Sequence, residues 1–427
     1  MANWGETGES MKTEKNMSYD VVVIGGGASG IMAAITAARC GARTAIIEHK
    51  DRIGKKILST GNGKCNYTNA LQGIAYYRGD NPAFVLPVFE QFGLEDTLKF
   101  FEEIGVYPKC RNGYYYPASE QAAAVLEVLR MELDFRNVDV LTECELKHFN
   151  RKNNSILLDT NLGKIVTKKV ILATGLLASP KTGSDGSSFP YIEKLGHHFT
   201  DIVPALVALQ GKQSFFKAIA GIRAEIQLEI YINREKIAME SGELQLTDYG
   251  ISGIPVFQIS RFATKALAKK EKVYVLLDFM PKLSTQELTS LLKKRFYQYG
   301  NGKTASEALI GLVNKKLGDV LLKEAGISLQ TPAKKVTKEQ VEKLVKELKS
   351  LRIDVIGSKT FEQAQVCAGG VDTSEVNNET LESYLAPNVY FAGELLDIDG
   401  ICGGYNLQWA WSSGYVAGLH AAKSCRE

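Results

Sequence analysis

A chain of 427 residues is too long for a single hydrophobic core, so roughly two or three domains are expected. Its 45% hydrophobic and 23% charged residues are ordinary for a globular protein, and a net charge of +3 gives no chain-wide footprint for nucleic acid or membrane. No run reaches the ~18 apolar residues of a membrane span. The seven cysteines form no CxxC pair and no metal-ligand spacing. No metal centre, disulfide framework or membrane partner is therefore expected, and the reducing cytoplasm is the natural compartment.

Residues 1–17 are polar and read as a disordered tail, with Met11 and Met17 as alternative starts. Residues 19–24 form an apolar run that ends in Gly25-Gly26-Gly27. Residues 29–39 have helical periodicity, Gly41 punctuates, and residues 43–48 form a second apolar run. Strand, glycine turn, helix and strand in this order make a βαβ unit. A glycine-rich stretch follows over residues 52–69. Residues 82–103 and 119–135 look helical, and 138–142 and 169–173 look like strands. From Pro204 the texture changes. Residues 207–209, 224–233, 242–247 and 273–279 read as short strands of an antiparallel sheet or barrel. Residues 285–351 are helical and basic, with 15 Lys/Arg against 7 Asp/Glu between Lys282 and Arg352. Residues 361–371 and 389–392 are strand-like again, and 407–422 read as a terminal helix. The expected fold class is α/β. A Rossmann-type, glutathione-reductase-like domain (residues 18–198 and 362–427) is interrupted by a β-barrel-like domain (199–281 and 352–361), which carries a helical insert (282–351).

The stretch Gly25-Gly26-Gly27-Ala28-Ser29-Gly30 fits GxGxxG in its proper setting, after a strand and opening a helix. Gly25 makes the tight turn, Gly27 admits a pyrophosphate and Gly30 lets helix and sheet approach. The N–H groups of the first turn, at Ala28 and Ser29, face the phosphate charge. Glu48 ends the second strand, where it accepts hydrogen bonds from a ribose diol and disfavours the 2′-phosphate of NADP. Ala173-Thr174-Gly175 ends one later strand, and Gly393-Glu394 ends another. Flavoproteins of the glutathione-reductase type carry both elements, so FAD is the expected cofactor, with Glu394 at the ribityl chain. Asn406 and Leu407 open the last helix, whose N-terminus would face the flavin pyrimidine edge. His49, Lys56, Thr60 and Leu146 complete the expected cofactor set. A second GxGxxG is absent, so NAD(P)H, the expected electron donor, has no Rossmann site of its own and would dock transiently at the flavin face.

Several motifs occur together: Gly54-Lys-Lys-Ile-Leu-Ser-Thr-Gly-Asn-Gly-Lys-Cys-Asn-Tyr-Thr-Asn69, Gly369-Gly370-Val371, Phe391-Ala-Gly-Glu394, and Asp397 through Gln408 followed by Trp409 to Gly414. With them, the chain from Tyr19 onward resembles the aminoacetone-oxidase-like family of single-FAD flavoproteins. The resemblance implies the nested fold described above. It also implies a flavin lined by one loop (Gly61, Asn62, Gly63, Cys65, Asn66) and one turn (Gly404, Tyr405, Asn406, Leu407). Thr247-Asp248 departs from the Thr-His of many members, so a substrate role for that histidine does not carry over. Members are associated with reduction of 3-oxo-Δ4,6 bile-acid intermediates, and others resemble enzymes that form dihydrouridine in ribosomal RNA.

Both reactions reduce a C=C bond conjugated to a carbonyl. Hydride from reduced flavin N5 reaches the β-carbon, charge develops on the carbonyl oxygen, and an acid protonates the α-carbon. Cys402 and Cys65 are the candidate acids; each also reads as a small packing residue in a tight turn. Tyr405 and Lys64 are candidate donors to the oxygen; Lys64 also reads as facing the pyrophosphate or solvent. His197-His198 lacks a third ligand and reads as a capping or surface pair. The basic insert reads as a solvated face, or as a contact for RNA phosphates. A small hydrophobic enone is the expected substrate. An rRNA uridine reductase and a non-catalytic flavin redox sensor are the alternatives.

Overall fold

The computed structural model describes residues 17–152 and 155–426; of the expected tail only Met17 is described, and residues 1–16 lie outside. Strand β1 (Met17–Ile24) buries Val21, Val22 and Val23 completely, on both faces. Such a strand needs parallel neighbours under a cover of helices. Thr44–Ile47 lies parallel on one side, with Asp139–Leu141 beyond it, and Gly163–Leu172 lies parallel on the other. Gly163–Leu172 changes partner along its length. Residues 163–167 pair antiparallel with Ser155–Thr160, while residues 170–172 pair parallel with Val389–Phe391. That last pairing inserts the end of the chain into the seven-stranded sheet begun by its start.

Helix α1 (Ala28–Arg39) packs against the C-terminal helix Tyr405–Lys423 almost backbone to backbone. A Cβ on Gly414 would stand 2.4 Å from the Ser29 carbonyl oxygen, and one on Gly418 would stand 2.3 Å from that of Ala33. Glycine alone permits this approach.

The interrupting region closes a six-stranded antiparallel barrel, in the order Leu209–Gly211, Gly250–Ser252, Glu235–Leu246, Arg223–Ile232, Val273–Asp278 and Leu351–Ser358. Ile226, Leu228 and Ile230 alternate inward, as a barrel strand requires. The chain enters through Val203–Ala205 and leaves through Val366–Ala368, and these two crossovers pair with each other, Val203 opposite Ala368. Between Val273–Asp278 and Leu351–Ser358 lies the insert, with helices Thr285–Lys293, Ala305–Leu309, Lys315–Glu324 and Lys338–Ser350. Three of these open with reciprocal capping boxes: Ser284 with Glu287, Thr304 with Glu307, Thr337 with Gln340. Leu288, Leu321, Leu344 and Leu348 of the insert share one apolar core with Leu228, Val275 and Ile353 of the barrel. The insert therefore has no separate core.

Four sequence expectations change. The expected strand over residues 207–209 is displaced, because strands stand at Val203–Ala205 and Leu209–Gly211 with Leu206 in the left-handed region between them. Residues 361–371 contribute only Val366–Ala368 as strand. The helical stretch 82–103 breaks at Phe92-Gly93 into Val85–Gln91 and Leu94–Glu103. The 15-residue helix Ile254–Ala268 stands within a region whose strands alone were anticipated. We expect Gly414→Val to lower stability by about 3 kcal/mol, because the added methyls must push apart two backbones that cannot yield locally; an unchanged urea midpoint would contradict the contact.

Candidate functional site

The carboxyl ends of β1, Thr44–Ile47 and Gly163–Leu172 border one cavity of about 930 Å³. Parallel α/β sheets bind nucleotides at this position. β1 turns into α1 at Gly25, whose φ is 104° and whose Cβ would meet the Ala173 carbonyl oxygen at 2.6 Å. A Cβ on Gly30 would stand 1.9 Å from the Gly25 oxygen, so this residue seats the helix on the turn. A Cβ on Gly27 would meet nothing within 4 Å. Gly27 thus leaves open space on the cavity wall, beside the unpaired N–H groups of the first turn of α1.

Glu48 follows Thr44–Ile47 and is 8% exposed. Its carboxylate accepts hydrogen bonds from the Gly26 N–H at 2.8 Å and the Lys50 N–H at 2.9 Å, which hold it on the wall. His49 beside it places Nε2 3.3 Å from Asp185 Oδ2. Further along, Lys56 Nζ donates to Glu394 Oε2 at 2.6 Å, and Glu394 Oε1 accepts from the Cys367 N–H at 2.8 Å. Gly61 and Asn62, both in the left-handed region, curl the loop Ile57–Gly63 so that Thr60, Gly61 and Asn62 face the cavity. Asn66 follows, with a buried Oδ1 that has no hydrogen-bond partner. Opposite, Gly404 opens the helix Tyr405–Lys423. The Asn406 side chain fastens that turn, accepting from the Gly400 N–H and donating to the Gly400 carbonyl, each at 2.8 Å. Two helix N-termini therefore face one cavity from opposite ends of the chain.

The remaining wall differs in chemistry. Leu206, Ile254 and Phe257 make it apolar, and Tyr114, Tyr116 and Cys402 join them. Burial raises the Cys402 thiol above its ordinary range and does the same to both phenols. All three are protonated near pH 7 and can act as proton or hydrogen-bond donors.

The HI0933-like protein Rossmann domain matches residues 19–420. The chain belongs to the HI0933-like family. Over 403 residues it is 42% identical to the 3-dehydro-bile acid delta(4,6)-reductase of Clostridium scindens, across 94% of this chain and 98% of that protein. It is 28% identical over 409 residues to the ribosomal RNA dihydrouridine synthase of Haemophilus influenzae, again across 94% and 98%. Among solved structures, the open conformation of a flavocytochrome c3 fumarate reductase shares the fold, with a TM-score of 0.52 at 14% identity, covering 96% of this chain and 79% of that one. The fold class expected from the sequence, a Rossmann-type FAD domain with a β-barrel, is the one found.

The cavity of this HI0933-like protein suits FAD. The open space at Gly27 is a cradle that any side chain would fill, and the orphaned Asn66 Oδ1 is an acceptor awaiting a donor. Gly25, Gly27, Ala28 and Ser29 would hold the pyrophosphate, Glu48 a ribose, Lys56 and Glu394 the middle of the cofactor, and Asn66 with the Gly404 turn the flavin end. Of the remaining expected residues, His49, Thr60, Gly61, Asn62, Leu146, Ala173, Thr174, Gly175, Asn406, Leu407 and Cys402 also line the cavity.

Gly30, Gly63, Cys65, Gly393 and Tyr405 do not line it. Gly30 and Gly393 are packing residues; a Cβ on Gly393 would meet Ser29 Oγ at 2.3 Å. Gly63 is exposed in its loop. Cys65 is a correction: it has no exposed surface, and burial pushes its thiol to about 11, so it cannot meet a substrate. Tyr405 is another, since its ring stacks on Tyr76 at 4.9 Å and meets Tyr77 edge-on at 5.9 Å, leaving it 3% exposed. Lys64 faces solvent, the second of its two readings, with its ammonium paired to Glu120 at 2.9 Å and away from the cavity. Sequence reasoning missed Tyr114 and Tyr116, whose two-residue spacing on strand Tyr114–Pro117 was the available signal. It also missed the polar loop over residues 183–188.

His197 is buried, not superficial. Its Nδ1 lies 3.0 Å from Glu375 Oε2 and its Nε2 lies 2.7 Å from Ser383 Oγ. Among the described residues no group of three or more His, Cys, Asp or Glu could hold a metal, and no helix is long and apolar enough to cross a membrane. We expect Gly27→Val to fold and yet weaken FAD binding at least about tenfold, because its side chain would occupy the phosphate cradle. Titration of the apoprotein with FAD, followed by flavin fluorescence, measures this; wild-type affinity would contradict the cradle.

Proposed function

We propose that this protein is an FAD-dependent oxidoreductase that reduces the carbonyl-conjugated C=C bond of a hydrophobic enone, with a 3-oxo-Δ4,6 bile-acid or steroid intermediate as its substrate class. The observation that carries this is the convergence of an apolar wall, Leu206, Ile254 and Phe257, with three neutral donors, Tyr114, Tyr116 and Cys402, in the cavity that suits FAD. The 42% identity to a bile-acid reductase along nearly the whole chain supports it.

Bound reduced FAD supplies the hydride for the β-carbon. The apolar wall takes up the rings of the substrate and excludes water from them. As the electron pair moves from the C=C bond toward the carbonyl oxygen, the phenols of Tyr114 and Tyr116 donate hydrogen bonds to that oxygen. Cys402 Sγ–H gives its proton to the α-carbon: the S–H bond breaks, a C–H bond forms, and the thiolate recovers a proton from water. NAD(P)H is the proposed electron source for the next cycle.

The test is anaerobic reduction of an oxo-bile acid by the pre-reduced enzyme, with unmodified rRNA run in parallel. Enone turnover is expected; uridine reduction without enone turnover would overturn the substrate class, and turnover of neither would favour a redox sensor. Cys402→Ala should slow enone turnover by about 10²-fold or more and leave flavin reduction by NADH or NADPH intact. Wild-type turnover in that variant would remove Cys402 as the acid. The raised thiol also fixes a sign in pH. An acid works while protonated, so the rate should hold through neutral pH and fall only above the ordinary thiol value of 9.0.

A further inference from the structure

Helix Ile254–Ala268 has two working faces. Val256, Ile259 and Ala263 are buried in the barrel core. Residues 254, 258, 261 and 265 follow one stripe on the other face, at helical spacing. Ile254 and the neighbouring Phe257 stand on the cavity wall. Gln258 Oε1 accepts a hydrogen bond from the Cys402 N–H at 2.9 Å. Arg261 Nε donates to Asp399 Oδ1 at 2.9 Å, and Lys265 Nζ lies 3.7 Å from Asp80 Oδ1. The short strand Asp399–Gly400 is paired with Tyr77–Arg78, and Asn406 grips Gly400 from the far side. The turn that carries Cys402 is therefore gripped at its start by Arg261 on Asp399 and Asn406 on Gly400, and at Cys402 itself by Gln258.

We propose that Gln258 and Arg261 are positioning residues: the helix that offers the substrate its apolar wall also holds the 399–404 turn, and so sets the Cys402 thiol against the bound substrate. This rests on Cys402 as the proton donor of the proposed reaction. Neither residue lines the cavity, so each acts through the turn and not on the substrate. A hydrogen bond to a backbone N–H fixes the turn without changing the acid itself. Loss of it should therefore lower kcat with little change in KM.

The ion pair adds a dependence on pH. Asp399 is 4% exposed, and burial raises its carboxyl to about 6, while the Arg261 charge pulls the other way. The charged groups around it are Arg261 and Lys265 from the helix, Asp397 from its own segment, Arg78 from the paired strand, and Glu240 of the barrel beside Arg78. Arg261 Nη2 and Asp397 Oδ1 are buried without partners, so the cluster holds an unused donor and acceptor. With the folded value raised, proton uptake below about 6 favours the fold, and Asp399 contributes less stability as pH rises through about 6. Acidification therefore does not unfold the protein through this group. It neutralises Asp399 and weakens the hold of Arg261 on the turn.

The experiment uses the FAD-loaded enzyme. Gln258→Leu should lower kcat for enone reduction by about tenfold with KM changed less than about twofold, and should speed iodoacetamide labelling of Cys402, read by mass spectrometry, by a similar factor. Gln258→Glu, which keeps an oxygen acceptor, should restore the wild-type labelling rate and most of kcat. Phe257→Ala, on the wall itself, should raise KM. Wild-type kcat should fall below about pH 6, and that limb should vanish in Asp399→Asn. Visible flavin absorbance and melting temperature confirm that each variant is folded and loaded. Wild-type kcat and labelling in both Gln258→Leu and Arg261→Lys, alongside an inactive Cys402→Ala, would overturn the positioning role and leave the proposed reaction standing. Full turnover in Cys402→Ala would overturn the acid assignment instead, while labelling would still decide whether Gln258 holds the turn.

Discussion

The contact between α1 and the helix Tyr405–Lys423 is the constraint on which the rest of the molecule depends. Gly414 and Gly418 let the last helix lie on the carbonyls of Ser29 and Ala33, closer than any side chain allows. Close backbone approach over several turns gains dispersion contacts and fixes the angle of the two helices. Because their N-termini are held at the same end, the first turn of each faces the same cavity. Val389–Phe391 joins the central sheet beside Gly163–Leu172 and closes the same circuit from below. The chain can then leave after Gly163–Leu172, build a barrel of its own, and return without disturbing the cofactor end.

Two helix N-termini in one low-dielectric cavity create a field that favours anions. Phosphate charge would suit the first, and in the proposed reaction negative charge on the flavin would suit the second. The ion pair of Lys56 and Glu394 sits between them, with Glu394 also bonded to the Cys367 N–H. This pairing presents a cation and an acceptor along the path between the two ends. At the apolar wall, burial keeps Cys402, Tyr114 and Tyr116 neutral. Neutral donors beside an apolar wall repel no hydrophobic ring and yet stabilise charge that forms during reaction.

Much of this was legible in the residues. The order of apolar run, Gly25–Gly30 turn, helix and Glu48 specifies the dinucleotide end, because each position answers a local backbone requirement. The three capping boxes of the insert were equally readable as Ser/Thr followed three positions later by Glu or Gln. Other features could not be read locally. Cys65 and Cys402 both stand in glycine-rich turns, and only the fold decides that one is sealed in the core and the other faces the cavity. Tyr405 follows the Gly-Gly turn as a site residue would, yet Tyr76, more than three hundred positions earlier, arrives to stack on it. The helix Ile254–Ala268 was hidden by its short strand neighbours and by Pro255, which sits within its first turn, where proline is accommodated.

Arg261 and Asp399 raise a question of energetics. A buried ion pair loses in desolvation about what it gains in attraction, so it adds little net stability over a well-packed apolar pair. Here Arg261 Nη2 also goes without a partner, which makes the account less favourable still. What such a pair supplies is register. Apolar side chains at these positions could slide along the helix, whereas a guanidinium and a carboxylate meet in one geometry. The barrel and its insert share a single core, so the helix anchored in that core moves as part of a stiff body. A stiff body gripping the turn at Asp399 and Cys402 fixes the distance between the apolar wall and the thiol, the distance on which the proposed proton transfer to carbon depends.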